Sequence, residues 1–399
     1  MSYARLRMKS FAKRFALARL INARIKAASC KAQYTMICKD YGTPSVLEDS
    51  FAVEALGRQM WEMSNSEPLE TMPYRPYVLY VGTDYDQDNS GILQGLSRVA
   101  DVKVFEHVSG SYGMRRSTSV MEVEEVRRHN SSRLISYLTH HKNDRPFDCV
   151  IGQMWGYRMH VKGLFYAREQ GIPVVNLAMD DRHAFIGRTL QDGTPGGTLG
   201  LVPCLSLACT AAPESVMWYE SERCRAMYLP EASDSGIFRP RILDKQYDVC
   251  FVGANYGIRR ALVRTLERAG ISVQAYGDGW PNGRIPVADV PDLFAQSRIV
   301  LGCGTIGFCK DFFALKLRDF DGPMSGSLYI TTDNPDLRVL YEVGDEIVVY
   351  DSVADAVEKI TALLKDKQEI VRISRAGRLR AAEQHTWEKR FLRVLRAVL

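Results

Sequence analysis

YDVCFVGANYG, residues 247–257, reads as a buried strand that runs into a glycine turn, with a helix expected behind it near 257–269. The same sequence of events begins earlier, at YVLYVG (77–82), and recurs at FDCVIGQM (147–154) and PVVNLAMD (173–180). Apolar runs of this length, alternating with helical stretches near 90–100, 121–142, 161–170 and 214–223, have the spacing of βαβ units and a parallel sheet. VKVFEHV (102–108), CLSLACTA (204–211) and AMYLP (226–230) supply further strands. Because the alternation restarts at Tyr247 after the polar, proline-punctuated EASDSGIFRPRILDKQ, the chain divides into two Rossmann-like domains. SVQAYG (272–277), RIVLG (298–302), SLYITTD (327–333) and EIVVY (346–350) carry the second, with helices expected near 290–296, 311–321, 353–364, 366–382 and 387–398. Open α/β sheets bind ligands beyond the carboxyl ends of their strands, so the expected site is a cleft between the domains.

Length agrees with this division: 399 residues exceed what one hydrophobic core comfortably serves. Hydrophobic residues at 46% and charged residues at 25% argue against extensive disorder. No apolar run is long enough for a membrane span, and no secretory leader is read at the N-terminus. Nine scattered cysteines without a C-x-x-C pair point to reduced thiols, so a cytoplasmic protein is expected.

The net charge of +5 is local. Ten basic residues and no acidic ones lie between Met1 and Lys39, which leaves the remainder at −5. Met8, Phe11, Phe15, Ala18, Ile21 and Ile25 recur at helical spacing among these cations. This predicts a cationic amphipathic helix over residues 1–35 that either lies on an anionic membrane surface, on the inner face of the membrane, or packs on the body with a solvated basic face. A transit peptide is a further reading. Nucleic-acid binding is not expected, since no stacking platforms or groove-reading motif accompany the cations. Residues 40–75, with Pro44, Pro68 and Pro73, read as an irregular connector. The expected units are therefore 1–75, a first Rossmann-like domain over 76–235, a second over 236–385, and a terminal helix, 386–399, that returns toward the first domain.

GCGTIGFCKDFFALKLRDFDGPMSGSLYITTDNPDL (302–337), then YEVGDEIVVYDS and AAEQHTW, resembles the second domain of the CgeB-like, spore-maturation-protein family of glycosyltransferases. NLAMDDRHAFIG, YLPEASDSGIFRP, YDVCFVGANYGIRR and AYGDGW resemble further landmarks in the same order, over roughly residues 145–390. The resemblance implies a GT-B architecture and transfer of a sugar from a nucleotide-diphosphate-sugar donor to a hydroxyl acceptor, and the basic head, if it lies on a membrane surface, suits a glycan or lipid-linked acceptor in envelope polysaccharide assembly. The alternative is a non-catalytic nucleotide-binding or scaffold protein of the same fold. A nicotinamide dehydrogenase is disfavoured, because no G-x-G-x-x-G follows a strand with an acid about 20 positions on.

A diphosphate needs cations and closely approaching backbone. Lys316 and Arg318 supply the cations, although on a regular helix residues two apart do not face one phosphate. Gly304 and, after the strand at 247, Gly253 and Asn255 supply the backbone. Asp321 stands where the family has a carboxylate, usually Glu, which implies a partner for the ribose hydroxyls. Phe313 stands where many retaining relatives have a second Glu. Trp280 and Tyr276 flank GDG and are read as either base-stacking or core residues. In the first domain, Asp180, Asp181 and His183 follow a strand end and are the catalytic candidates, with His107 behind them. Asp also caps helices, so a plain capped loop is the other reading. No Asp-x-Asp is read as the triad of a metal-bridged donor, and no metal or other cofactor is expected.

Overall fold

The computed structural model describes residues 3–66 and 68–399, and for residues 3–17 and 19 it describes the backbone alone. Apolar runs between Tyr77 and Tyr228 pair into one sheet, from β1 (Tyr77–Val81), β2 (Asp101–Val104), β5 (Cys149–Gly152), β6 (Val174–Ala178), β7 (Leu207–Thr210) and β8 (Ala226–Tyr228). The order is β2-β1-β5-β6-β7-β8, all parallel. VKVFEHV breaks after Val104, and its second half becomes β3 (Glu106–Val108), paired antiparallel with β4 (Ser111–Tyr112). The central strands are buried on both faces, which explains their unbroken apolar sequences.

The second sheet is built from β9 (Tyr247–Val252), β10 (Val273–Tyr276), β11 (Ser297–Leu301), β12 (Leu328–Thr332) and β13 (Val348–Tyr350), ordered β10-β9-β11-β12-β13 and again parallel. Each sheet reverses direction beside its first strand, the place where such folds open a crevice. The architecture is the expected one: two Rossmann-like domains facing across a cleft.

Two crossings join the domains, and they are bonded to one another. Ser233 N–H donates to His385 O at 3.0 Å, and Trp387 N–H donates to Ser233 O at 3.0 Å. The helix Trp387–Val398 lies on the first domain, where Trp387, Phe391, Val394 and Leu395 pack with Val78, Ile92 and Leu96.

The stretch read as a connector contains a helix, Ser50–Asn65. Asp49 caps it by accepting from Ala52 N–H, and Val53, Gly57 and Trp61 form its buried face. Its prolines all lie outside this span, so nothing opposes the helix, and tertiary packing supplies what the weak periodicity does not. Gly57 is needed there: a Cβ would sit 3.3 Å from both Pro213 of the first domain and Val339 of the second. The preceding helix, Tyr3–Asp40, also touches both domains. Tyr34 packs on Phe312, with ring centroids 4.9 Å apart, while its hydroxyl donates to Glu214 at 2.7 Å. Lys31 pairs with Asp311 at 2.6 Å. Leu20, Ile21 and Ile25 are exposed, as is Ala18, whereas Met8, Phe11 and Phe15 lie outside the described side chains.

Beneath these straps the domains are pinned by a buried ionic cluster. Arg182 uses every N–H of its guanidinium: Nε and Nη2 on Glu214 at 2.7 and 3.1 Å, Nη1 and Nη2 on Asp336 at 2.6 and 2.8 Å, and Nη1 on Phe313 O at 3.1 Å. Asp336 belongs to the second domain, on the short helix Pro335–Leu340, which Asn334 caps.

Candidate functional site

A cavity of about 470 Å³ lies between the domains, beyond the carboxyl ends of β1, β6, β9 and β10. The helix expected near 311–321 begins only at Arg318 and runs to Met324. Residues 303–317 are instead a bonded loop, in which Ile306 N–H donates to Phe312 O and Ala314 N–H to Gly304 O. Helical geometry therefore does not separate Lys316 from Arg318, and both line the cavity. Lys316 N–H is taken by Asp319 Oδ2 at 2.7 Å, which fixes the turn.

The charge balance on this wall is the site's distinguishing property. Arg318 lies over the ring of Phe251, 4.8 Å from its centroid, and its Nε and Nη2 are buried without a hydrogen-bond partner. Beside it Arg259, at 4% exposure, donates to Ala254 O and Cys303 O, both at 3.1 Å, and leaves Nε unpartnered. Among the described residues neither guanidinium has a carboxylate within salt-bridge distance. Burial, with the neighbouring Arg318 charge second, pulls Arg259 below the usual arginine range. Two adjacent buried cations without a counterion make a strong anion site, since a bound anion would restore both charge and hydrogen bonds.

Gly253, with φ at +151°, makes this approach feasible, because a Cβ would lie 2.5 Å from Arg318 Nη1. Its contribution is the missing side chain; its N–H already serves Tyr276 O and its carbonyl accepts from Trp280 Nε1 at 2.7 Å. Trp280 is thus a buried strut of the turn, outside the cavity lining, and Tyr276 packs in the second domain's core. Asn255 turns away, its Nδ2 donating to Gly279 O at 2.9 Å. Gly304 N–H donates to Thr332 Oγ1 at 3.0 Å, so it too lies outside the lining.

The first domain brings Asp180 to the opposite wall. Asp180 Oδ1 is 3.5 Å from Lys316 Nζ and 3.7 Å from His183 Nε2. Burial raises this carboxyl, but His183 and Lys316 outweigh it and hold Asp180 below the usual range. Burial lowers His183, which keeps the imidazole neutral, and its Nδ1 is buried without a partner. His183 also borders a second hollow of about 570 Å³, formed with Ser117, Thr118, Tyr157 and Gly197. Asp181 points the other way, into the core, where Thr198 and Tyr219 hydroxyls donate to Oδ1 at 2.7 and 3.0 Å and burial pushes the carboxyl up to about 7. His107 lies on β3 against Gly113 O, away from the cavity.

Asp321 faces the cavity from the same helix as Arg318; its Oδ1 accepts from Ser233 at 2.6 Å, and burial raises it well above the ordinary carboxylate value. Two lining or backing groups have no mark in the sequence reading. Arg259 is one of two adjacent arginines in GIRR. Glu231 sits in a stretch that reads as a polar linker, yet it is 4% exposed at the cavity floor. Phe313, at the retaining relatives' Glu position, packs against the first domain's core.

Residues 259–396 match the family described as glycosyl transferase-like. No curated protein matches the chain in sequence. Among solved structures, sucrose-phosphate synthase from Thermosynechococcus elongatus superposes with a TM-score of 0.56 at 10% identity, over 81% of this chain and 98% of that one. Anabaena HepE, solved with UDP and glucose, gives 0.56 at 10% identity over 82% and 99%. AviGT4, a glycosyltransferase involved in avilamycin A biosynthesis, gives 0.52 at 13% identity over 81% and 97%. Family match and fold together support nucleotide-sugar glycosyl transfer. The chain has the GT-B fold, and most of its second domain matches the glycosyl transferase-like family.

Proposed function

We propose that the chain transfers a hexosyl or related sugar from a nucleotide-diphosphate-sugar to a hydroxyl acceptor in the interdomain cavity, as a CgeB-like member of the GT-B enzymes. The observation that carries this is the buried, counterion-free pair Arg259 and Arg318, which suits a diphosphate. Arg318 and Lys316 contact the diphosphate, and Arg259 adds its charge from behind. As the glycosidic bond breaks, negative charge grows on the leaving phosphate, where fixed cations in a water-poor cavity stabilise it most. Asp321 accepts from a ribose hydroxyl. Asp180, ionised on the facing wall, takes the acceptor's proton, with His183 beside it to position the hydroxyl. Solved structures of HepE with UDP and with UDP-glucose support a nucleotide-sugar donor here.

Calorimetry with UDP, ADP and GDP tests the reading. Binding of at least one, weakened tenfold or more in Arg318→Leu, is expected; no heat with any of them removes it. Donor turnover lost in Asp180→Asn, with nucleotide binding intact, is expected for the proton acceptor.

A glycan or lipid-linked acceptor in envelope assembly, reached by a chain resting on the inner membrane face, is the accompanying proposal. Its support is the cationic head, with Leu20, Ile21 and Ile25 exposed beside Arg24 and Lys26. Ala27 is buried and Lys31 is paired with Asp311, so the surface-seeking part lies before Ala27. Among the described residues no helix is long and apolar enough to cross a membrane. Deleting residues 1–26 should abolish co-sedimentation with phosphatidylserine vesicles; unchanged sedimentation refutes the membrane role.

A further inference from the structure

The cavity's charges divide into groups with assigned work and one without. Arg318 and Arg259 await an anion. Lys316 and Asp180 balance one another across the cleft, Arg284 pairs with Asp278 and Asp86, Asp84 pairs with Arg116, and Asp321 is engaged by Ser233. Glu231 alone has no such assignment. Its Oε2 is sealed from solvent and has no hydrogen-bond partner, although the residue lines the cavity. Its backbone is held rigidly, because Arg390 of the last helix donates to Pro230 O at 2.9 Å and to Glu231 O at 3.3 Å. An unpaired, nearly fully buried carboxyl aimed into a ligand cavity is costly unless a ligand group completes it.

Its surroundings set the proton. Burial is the largest influence and raises the carboxyl, Lys316 opposes it next, Asp319 and Asp180 raise it and Arg318 lowers it, and together they bring it up to about 8. Asp321 and Asp234, of the facing helix and the same crossing, add two more acids nearby. At neutral pH the group therefore carries an O–H, one donor beside an acceptor oxygen, a combination suited to a hydroxyl and unsuited to phosphate.

We propose that Glu231 donates a hydrogen bond to a hydroxyl of the transferred sugar, and that it is the residue by which this chain distinguishes a sugar nucleotide from a bare nucleoside diphosphate. The assignment rests on the donor reading above, and it concerns the sugar where Arg318 concerns the diphosphate.

Titration of the full-length chain at pH 7 with UDP and with UDP-glucose separates the two. Glu231→Ala is expected to weaken UDP-glucose tenfold or more while UDP changes less than twofold. Glu231→Gln, which keeps a neutral N–H donor, should stay within threefold of the parent for both. UDP-glucose affinity of the parent should fall above pH 8, and that of Glu231→Gln should not. Unchanged UDP-glucose binding in Glu231→Ala, or an equal loss of both ligands, overturns the assignment and leaves the donor reading standing. A parent chain that binds neither these compounds nor the corresponding ADP and GDP pairs overturns both. An unchanged far-ultraviolet circular dichroism spectrum serves as the check that each variant has folded.

Discussion

Arg182 and Arg259 are buried guanidiniums, Arg318 beside the second is half-buried, and the protein treats the first and the pair in opposite ways. Arg182 is 2% exposed with two carboxylates, a carbonyl and all its N–H groups engaged. Arg259 and Arg318 share a ring, repel one another and leave Nε atoms empty. Where a buried charge is fully answered by the protein, it specifies an arrangement, here the seating of one domain on the other. Where it is left unanswered, the protein holds free energy in reserve for a ligand.

The largest test of this contrast is Arg182→Ala, which strands Glu214 and Asp336 together in the interior. A loss of about 3–5 kcal/mol in urea unfolding is expected, with nucleotide binding retained in whatever remains folded. Arg318→Leu should do the reverse. Unfolding free energy should hold or rise, while UDP affinity falls by about 1.5–3 kcal/mol, tenfold to beyond a hundredfold. If instead Arg318→Leu melts the protein and Arg182→Ala only impairs binding, the contrast collapses.

Asp181 is an intermediate case, bonded by hydroxyls but lacking a cation, and it responds by keeping a proton to about pH 7. Its folded value lies above the unfolded one, about 3.9, so its stabilising contribution is complete at acid pH and is lost as pH rises to 7. The slope is at most about 1.4 kcal/mol per pH unit, and melting curves of Asp181→Asn should lack it. Smallest is Tyr34→Phe, which removes a donor to Glu214 and the acceptor of Val46 N–H, and should cost about 1–3 kcal/mol by the same unfolding assay.

The two sheets were legible because parallel strands buried on both faces leave unbroken apolar runs, as in CVIG and VVNLA. Asp180, Lys316, Arg318 and Asp321 stood out through position or resemblance, and the cavity does gather them. What escaped depends on distant partners. Arg182 meets Asp336 from 154 residues away, and no local pattern reports such a meeting. The helix Pro335–Leu340 did carry a local signal, Asn334 as cap and Pro335 at the first turn, but it is too short for periodicity to show. Glu231 was hidden by its neighbours, because LPEASD reads as a turn-rich linker until the two crossings close around it. Lys316 and Arg318 were separated by a rule that holds only on a helix, and the helix starts two residues later than Lys316.

The helix Tyr3–Asp40 is synthesised before both domains it touches, yet its seat includes Asp311 and Phe312, with Lys31 and its partner 280 positions apart. At about 5–20 residues per second, that seat emerges roughly 15–60 s after the helix itself. Until then the helix can seat only on the first domain, where Tyr34 meets Glu214, 180 positions on, and Trp218, so closure against the second domain is the later step of its docking.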